Sequence, residues 1–237
     1  MRRHGQVIIF LGPPGSGKGT QAGRLSAELG IPAISTGDML RRECQSGSSL
    51  GKSVKSVLDS GQLVSDDLIN QVVASRLGQH DCEQGCILDG YPRTISQARF
   101  LNRLLRKLDL PKPVVFDFQI DCEQVVARLS RRRHCAECGR TFTVSSEGQD
   151  VFCDRDGAKL VRRSDDDPQT IRERLNLYQQ NAGELVRYYA AQNYQRMSAA
   201  GRPEDISAAL LRTLEPAQVH VSRPEVLARP QYQAQTA

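Results

Sequence analysis

Apolar residues fall along this chain in two rhythms. Short unbroken runs at Val7 to Leu11, Ile31 to Ile34, Cys86 to Leu88 and Val114 to Ile120 are strand-sized, and between them lie longer stretches whose apolar positions recur at helical spacing. The alternation predicts parallel strands joined by crossover helices, an α/β core. One such stretch carries Leu63, Val64, Leu68, Ile69, Val72, Val73 and Leu77, with Ser65 placed as its N-cap. Another begins at Pro168 and runs toward Met197.

Two segments break the alternation. Ser35 to Val64 holds two short helical patterns separated by QSGSSLGKS, and Arg133 to Asp167 is polar and rich in Gly, Ser, Asp and Thr. Both read as insertions into the core. After Leu214 the pattern fails: EPAQVHVSRPEVLARPQYQAQTA has no periodicity and is expected to be a disordered tail. There is no internal repeat.

With 237 residues, 39% of them apolar, the chain can bury a sizeable core as one domain or as a core with insertions. No apolar run is of membrane-spanning length, and MRRHGQ leads straight into a strand, so a cytoplasmic location is expected. The net charge is +5, and within it Arg131 to Arg133 and Arg162 to Arg163 form two basic runs. Such runs suit a polyanion; without aromatic interleaving or a nucleic-acid motif, phosphates are the simpler partner. Seven cysteines, an odd count, argue for thiols or a metal site over a disulfide framework. Cys44, Cys82, Cys86 and Cys122 lack ligand partners at suitable spacing and read as ordinary thiols.

The sharpest chemistry lies at Gly12 to Thr20, GPPGSGKGT, between a strand and a helix. Glycines there let successive backbone N–H groups turn onto one concave surface, the helix N-terminus adds its positive end, and Lys18 adds a full charge: a phosphate cradle. The spacing fits G-x-x-x-x-G-K, but Gly19 follows the lysine and the hydroxyl arrives one position late, at Thr20.

Together with STGDMLR (Ser35 to Arg41), LVSDDL (Leu63 to Leu68), LDGYPRT (Leu88 to Thr94) and RRSDD (Arg162 to Asp166), this loop resembles the adenylate kinases of the long-lid bacterial type, over about residues 6 to 214. The resemblance implies a P-loop parallel sheet of about five strands with flanking helices. It also implies an inserted helical NMP-binding segment and an inserted zinc-binding lid. The expected bounds are 1–34, 65–130 and 168–214 for the core, 35–64 for the NMP segment, 131–167 for the lid and 215–237 for the tail. A fifth strand would have to come from NYQRMSAAGRPEDI, where it is weakly written.

The reaction implied is ATP plus AMP to two ADP, with magnesium, in a monomer. Phosphoryl transfer asks a protein mainly for alignment and charge, so arginines should dominate and no strong general base is needed. By the resemblance, Gly15, Ser16, Gly17, Lys18, Gly19 and Thr20 hold ATP phosphates, and Arg93, Arg132, Arg163 and Arg174 converge on the transferring group. Arg41 and Arg93 take the AMP phosphate, with Arg163 and Arg174 also facing AMP. The AMP base and its surroundings fall to Thr36, Gln62, Leu63, Val64, Gly90, Tyr91, Pro92 and Gln97. Arg128 and Arg202 are placed toward the ATP base, covered by Thr141 and Phe142, and Asp89 orients magnesium. His4, His80, His134 and His220 receive no role.

Cys135-x-x-Cys138 and Cys153-x-x-Asp156 form two knuckle-like pairs, each followed by glycine, Gly139 and Gly157. Three thiolates and a carboxylate suit one closed, structural zinc site in a lid too poor in apolar residues to hold a shape by itself. The carboxylate in fourth place rests partly on some lids of the resembled family. Both insertions are expected to close over the nucleotides and exclude water. Two other functions stay open: a kinase for UMP, CMP or GMP, and, in a different class, a zinc-containing module binding nucleic acid through its arginine runs.

Overall fold

The computed structural model describes residues 5–45, 48–59, 64–144 and 150–214. In chain order the elements are β1 (Gln6–Leu11), α1 (Lys18–Leu29), β2 (Ala33–Ser35), α2 (Thr36–Gln45), α3 (Ser49–Asp59), α4 (Asp66–Leu77), β3 (Gly85–Asp89), α5 (Ile95–Lys107), β4 (Val114–Gln119) and α6 (Cys122–Ser130). There follow β5 (Arg132–Cys135), β6 (Thr141–Thr143), β7 (Leu160–Val161), α7 (Pro168–Ala190), β8 (Asn193–Ser198) and α8 (Pro203–Leu214).

Five strands form one parallel sheet in the order β2-β3-β1-β4-β8. Helices cover both faces. On β1, Val7, Ile9 and Leu11 pack with α4, α5 and α7, while Ile8 and Phe10 pack with α1 and α8. With neither face wet, β1 shows no polar alternation, which is why it reads as an unbroken apolar run. Because β1 sits between β3 and β4, a crevice opens at its carboxyl end, where ligands of open α/β sheets bind.

The fifth strand forms, but at the rim. Among the described residues β8 pairs only with β4, and it keeps just Tyr194 and Met197 half-buried, so an edge position accounts for its weak apolar signal. The helix expected to run toward Met197 therefore stops at Ala190, where the chain turns to pair with β4. Its start is as expected: Pro168 sits in the first turn, and Asp167 accepts hydrogen bonds from the amides of Gln169 (2.9 Å) and Thr170 (3.2 Å). Ser65 does precede α4, but its side chain makes no capping bond. The second strand is shorter than its apolar run, Ala33–Ser35, since Pro32 brings no N–H and contributes only its carbonyl, to Ile87 N at 2.9 Å.

The segment from 131 carries a small antiparallel sheet, β6-β5-β7, and a cluster of its own in which Cys135, Cys153 and Leu160 are buried. The expected tail, 215–237, lies outside the described residues. No helix among those described is long and apolar enough to cross a membrane.

Candidate active site

The glycine loop leaves β1 at the crevice. Gly12 has φ +136°, and a Cβ there would lie 2.8 Å from the Phe118 carbonyl oxygen; Gly15 has φ +77°, with Leu129 Cγ 2.9 Å from its would-be Cβ. Side chains are excluded by conformation and by space. The Lys18 ammonium folds over this turn and donates to Gly12 O (2.8 Å), Pro13 O (2.7 Å) and Ser16 Oγ (3.3 Å). Burial pushes Lys18 down to about 8, and nearby Arg93, Arg174 and Arg132 act in the same direction against Asp89. Asp89, ending β3, is raised by burial, with Lys18 opposing. Its Oδ2 would meet a Cβ on Gly19 at 3.2 Å, so the carboxylate hangs over the first turn of α1.

Four arginines from three parts of the chain share this space. Arg93 anchors its Nε on Gly90 O at 2.8 Å and is pushed down to about 10 by burial and then by Arg174. Arg132, opening β5, is gripped by the fully buried Asp166, with Nε to Oδ2 at 2.6 Å and a second bond from Nη2 to Oδ1. Arg174 on α7 donates to the Asp165 carbonyl at 2.8 Å and pairs with the Asp165 and Asp166 carboxylates at 2.9 and 3.2 Å. Arg163 reaches Thr141 Oγ1 at 2.9 Å and Asp38 at 3.8 Å, its Nε is buried with no partner, and burial followed by Arg41 pushes it to about 10. Arg41 pairs with Asp38 and lies across Gly37. Cations that lower one another's proton affinity, one with an orphaned buried donor, form a field that only an anion relieves.

One cavity of about 1010 Å³ collects these groups. Gly15 to Thr20, Thr36, Arg41, Val64, Asp89, Gly90, Pro92, Arg93, Gln97, Arg128, Arg132, Thr141, Arg163 and Arg174 all line it. Gln62 and Leu63 lie outside the described residues. Three expected site residues stand off the wall. Tyr91 is 1% exposed behind it, its hydroxyl 2.5 Å from Asn70 Oδ1. Phe142 sits beneath the Arg140 guanidinium, 5.2 Å from it, and packs with the cysteine cluster. Arg202 is exposed and spends its guanidinium on Asp205 in the next turn of chain, at 3.0 and 3.1 Å. Arg128 lines the cavity while donating to Ala199 O at 2.8 Å.

The acidic partners Asp38, Asp165 and Asp166 were not anticipated as site residues. Asp165 and Asp166 stand within RRSDD, where two carboxylates beside two arginines were a usable signal; nothing local marked Asp38 as a partner of Arg163.

In the lid, Cys135 Sγ, Cys138 Sγ, Cys153 Sγ and an Asp156 oxygen all lie within 4.8 Å of one another. Cys138 and Cys153 sulfurs are 3.6 Å apart, and Cys135 Sγ is 3.3 Å from Asp156 Oδ2. A tetrahedron with bonds of about 2.0 to 2.3 Å has edges of about 3.5 to 3.8 Å, so the set fits one small tetrahedral cation. Asp156 is held at about 2, first by the Ala158 amide and then by the neighbouring thiols, and so stands ionised and aimed. His134 stays outside, with Nδ1 at 3.2 Å from Val161 O. Cys82 and Cys86 are buried in the core, Cys44 is half-buried and Cys122 exposed, as ordinary thiols.

A phosphate cradle at the switch point of a five-stranded parallel sheet, faced by arginines from core and lid, defines a P-loop kinase of small nucleotides. The family model described as Adenylate kinase matches residues 10–194. An adenylate kinase from Anaeromyxobacter dehalogenans is 44% identical over 211 residues, covering 88% of this chain and 99% of that protein. Those from Archaeoglobus fulgidus (46% over 184 residues, 77% and 85% covered) and Thermosipho africanus (44% over 188 residues, 78% and 88% covered) are similar over most of the chain. The chain belongs to the adenylate kinase family.

Proposed function

We propose that the protein catalyses reversible phosphoryl transfer from ATP to AMP, giving two ADP. The observation that carries this is the convergence of Lys18, Arg93, Arg132, Arg163 and Arg174 on one cavity, their charges compensated only in part by Asp89, Asp165 and Asp166. Residues 1–34, 65–130 and 168–214 act as the core, and 35–64 and 131–167 as lids over AMP and ATP. Gly15 to Thr20 cradle the ATP phosphates, and Arg41 with Arg93 grips the AMP phosphate, whose oxygens the planar guanidinium fork can meet two at a time. Gln97, beside Thr36 and Val64, meets the AMP base, and Arg128 and Thr141 border the ATP end. Placing the nucleophilic phosphate in line with the donor, in a site the lids close to water, accounts for most of the work.

Magnesium bound with ATP would supply positive charge at the transferring phosphates, and Asp89, a buried carboxylate at the strand end, is the residue fit to orient it. Zinc in the lid would be structural, held by Cys135, Cys138, Cys153 and Asp156. Thiols arranged for a metal suit a reducing, cytoplasmic setting, and the lysine and arginines assigned to the reaction line one cavity of one chain, which suits a monomer.

The test is a coupled assay with ATP, magnesium and an acceptor panel. AMP should be consumed with two ADP formed per turnover; a preference for UMP, CMP or GMP would instead make the protein another nucleoside monophosphate kinase. A pH series follows from Lys18. Its ammonium sits at about 8 in the free protein, and a bound polyanion raises it, so above that pH binding must take up a proton. ATP affinity should hold below about pH 8 and fall toward tenfold per unit above it. Calorimetry in buffers of different ionisation enthalpy reads the proton directly, and a dissociation constant flat from about pH 7 to 9.5 contradicts the assignment.

A further inference from the structure

Gln97 is 2% exposed, yet it reaches the cavity from the first turn of α5. A primary amide has nearly the same shape turned by half a rotation, so its two ends differ in effect only where neighbours fix them. Here both ends are fixed. Arg93 N donates to Gln97 Oε1 at 2.7 Å, and Gln97 Nε2 donates to Asp66 Oδ1 at 2.7 Å. Turned over, the amide would set its NH₂ against an N–H and its oxygen against a carboxylate. Each end keeps one position for another partner, the second Nε2 hydrogen and the second Oε1 lone pair.

Asp66 does more than receive one hydrogen. It opens α4, and its other oxygen accepts from Thr94 Oγ1 at 2.8 Å. Thr94 Oγ1 in turn accepts from Gln97 N at 3.2 Å as the N-cap of α5. The hydroxyl has a single proton, and with that proton on Asp66 only lone pairs face the α5 amide. One carboxylate thereby orients the side-chain amide of Gln97 and leaves the Thr94 hydroxyl's lone pairs to its backbone N–H. Tyr91, with its hydroxyl 3.2 Å from Gln97 O, closes the back of the arrangement.

We propose that Asp66 is the positioning residue for acceptor-base specificity: by receiving Gln97 Nε2 it presents donor and acceptor to the cavity in one fixed order, matching a 6-amino purine and mismatching a 6-oxo purine. A 6-amino purine offers an N–H donor beside a ring-nitrogen acceptor; a 6-oxo purine offers the reverse order, and an amide free to turn would accept either. The inference rests on AMP being the acceptor.

Steady-state kinetics with AMP and with inosine monophosphate, on wild type, Asp66→Ala and the double variant Asp66→Asn/Gln97→Glu, test it. Asp66→Ala should raise KM for AMP about tenfold, the worth of one charge-assisted hydrogen bond, and lower the AMP over inosine monophosphate preference about as much, with KM for ATP changed less than about twofold. In the double variant the new amide at 66 donates to the new carboxylate at 97, whose other oxygen still receives Arg93 N. The cavity then meets only acceptors, each purine finds one matched and one mismatched position, and the preference for AMP should fall by about tenfold or more, toward parity. Should Asp66→Ala fail to fold, the double variant, which keeps the hydrogen bonds, decides. A wild type that does not turn over AMP overturns the functional proposal and this one with it. A wild type that does, with variants whose acceptor preference is unchanged or whose KM for ATP rises in step, overturns the Asp66 role alone.

Discussion

Arg93→Ala is expected to lower kcat by about 10²- to 10³-fold, the loss typical of removing one preorganised donor from a developing negative charge. Arg93 merits this expectation over its neighbours because its position is fixed from two sides. Its backbone N–H is bonded to Gln97 and its Nε to Gly90 O, so the terminal nitrogens are left to face Lys18 and Asp89 across the cavity. It is also held against the repulsion of Arg174, an unfavourable arrangement in the free protein that a phosphoryl group in transfer converts into attraction. Arg93→Lys retains charge and loses the planar fork, so it should recover only part of the loss. Rapid-quench measurement of the chemical step separates this from slow product release. A chemical step in Arg93→Ala within about tenfold of wild type would remove Arg93 from the reacting centre.

How much of this was readable beforehand depends on the distance over which each feature is decided. The cradle was legible because its backbone geometry is local: Gly12 and Gly15 occupy conformations that few other residues tolerate, within one short stretch. The core strands were legible because burial on both faces writes itself as continuous apolar sequence. β8 was faint because an edge strand buries little, and its pairing with β4 is a tertiary event. The cysteine set was legible by spacing, since each knuckle spans three residue steps. What the sequence left hidden were braces between distant positions. Arg132 and Asp166 are 34 residues apart, and Gln97 and Asp66 are 31 apart. Arg202 fails as a wall residue for a local reason, because Asp205, three residues on, takes its guanidinium.

Those braces divide labour in the site. Asp166, 0% exposed, compensates Arg132 and Arg174 enough to bury them, and it aims them without neutralising the whole field. Arg163 keeps an unpartnered Nε. A buried guanidinium with an unsatisfied donor is costly, and persists where a ligand repays it. The arginines therefore differ in kind. Arg132 and Arg174 are pre-aimed by carboxylates, whereas Arg163 stands half-committed between Thr141 and Asp38 and is the one most able to change partners as nucleotide arrives.

Cys153→Ser is expected to weaken zinc binding at least about 100-fold and to lower the melting temperature by about 5–10 °C. The lid has little else to hold it. Apart from two cysteines, Leu160 is the only residue fully inside its cluster among the described residues, an apolar area far short of what ordering the segment costs. The zinc proposed for the closed tetrahedral site would supply the missing free energy, and removing one thiolate would remove most of it. The effect should reach the active site, because the lid sheet carries Arg132 and the hydroxyl that receives Arg163. β5 runs from Arg132 to Cys135, and β6 holds Thr141, which receives Arg163. Loss of metal should therefore lower kcat as well as stability, and a chelator should reproduce both effects in the unmodified protein. Asp156→Cys, which keeps four donors, should retain metal and activity. Elemental analysis and calorimetry on the purified variants are sufficient: Cys153→Ser carrying a full equivalent of zinc, or losing its zinc with no change in melting temperature, would show that the cluster does not hold the lid together.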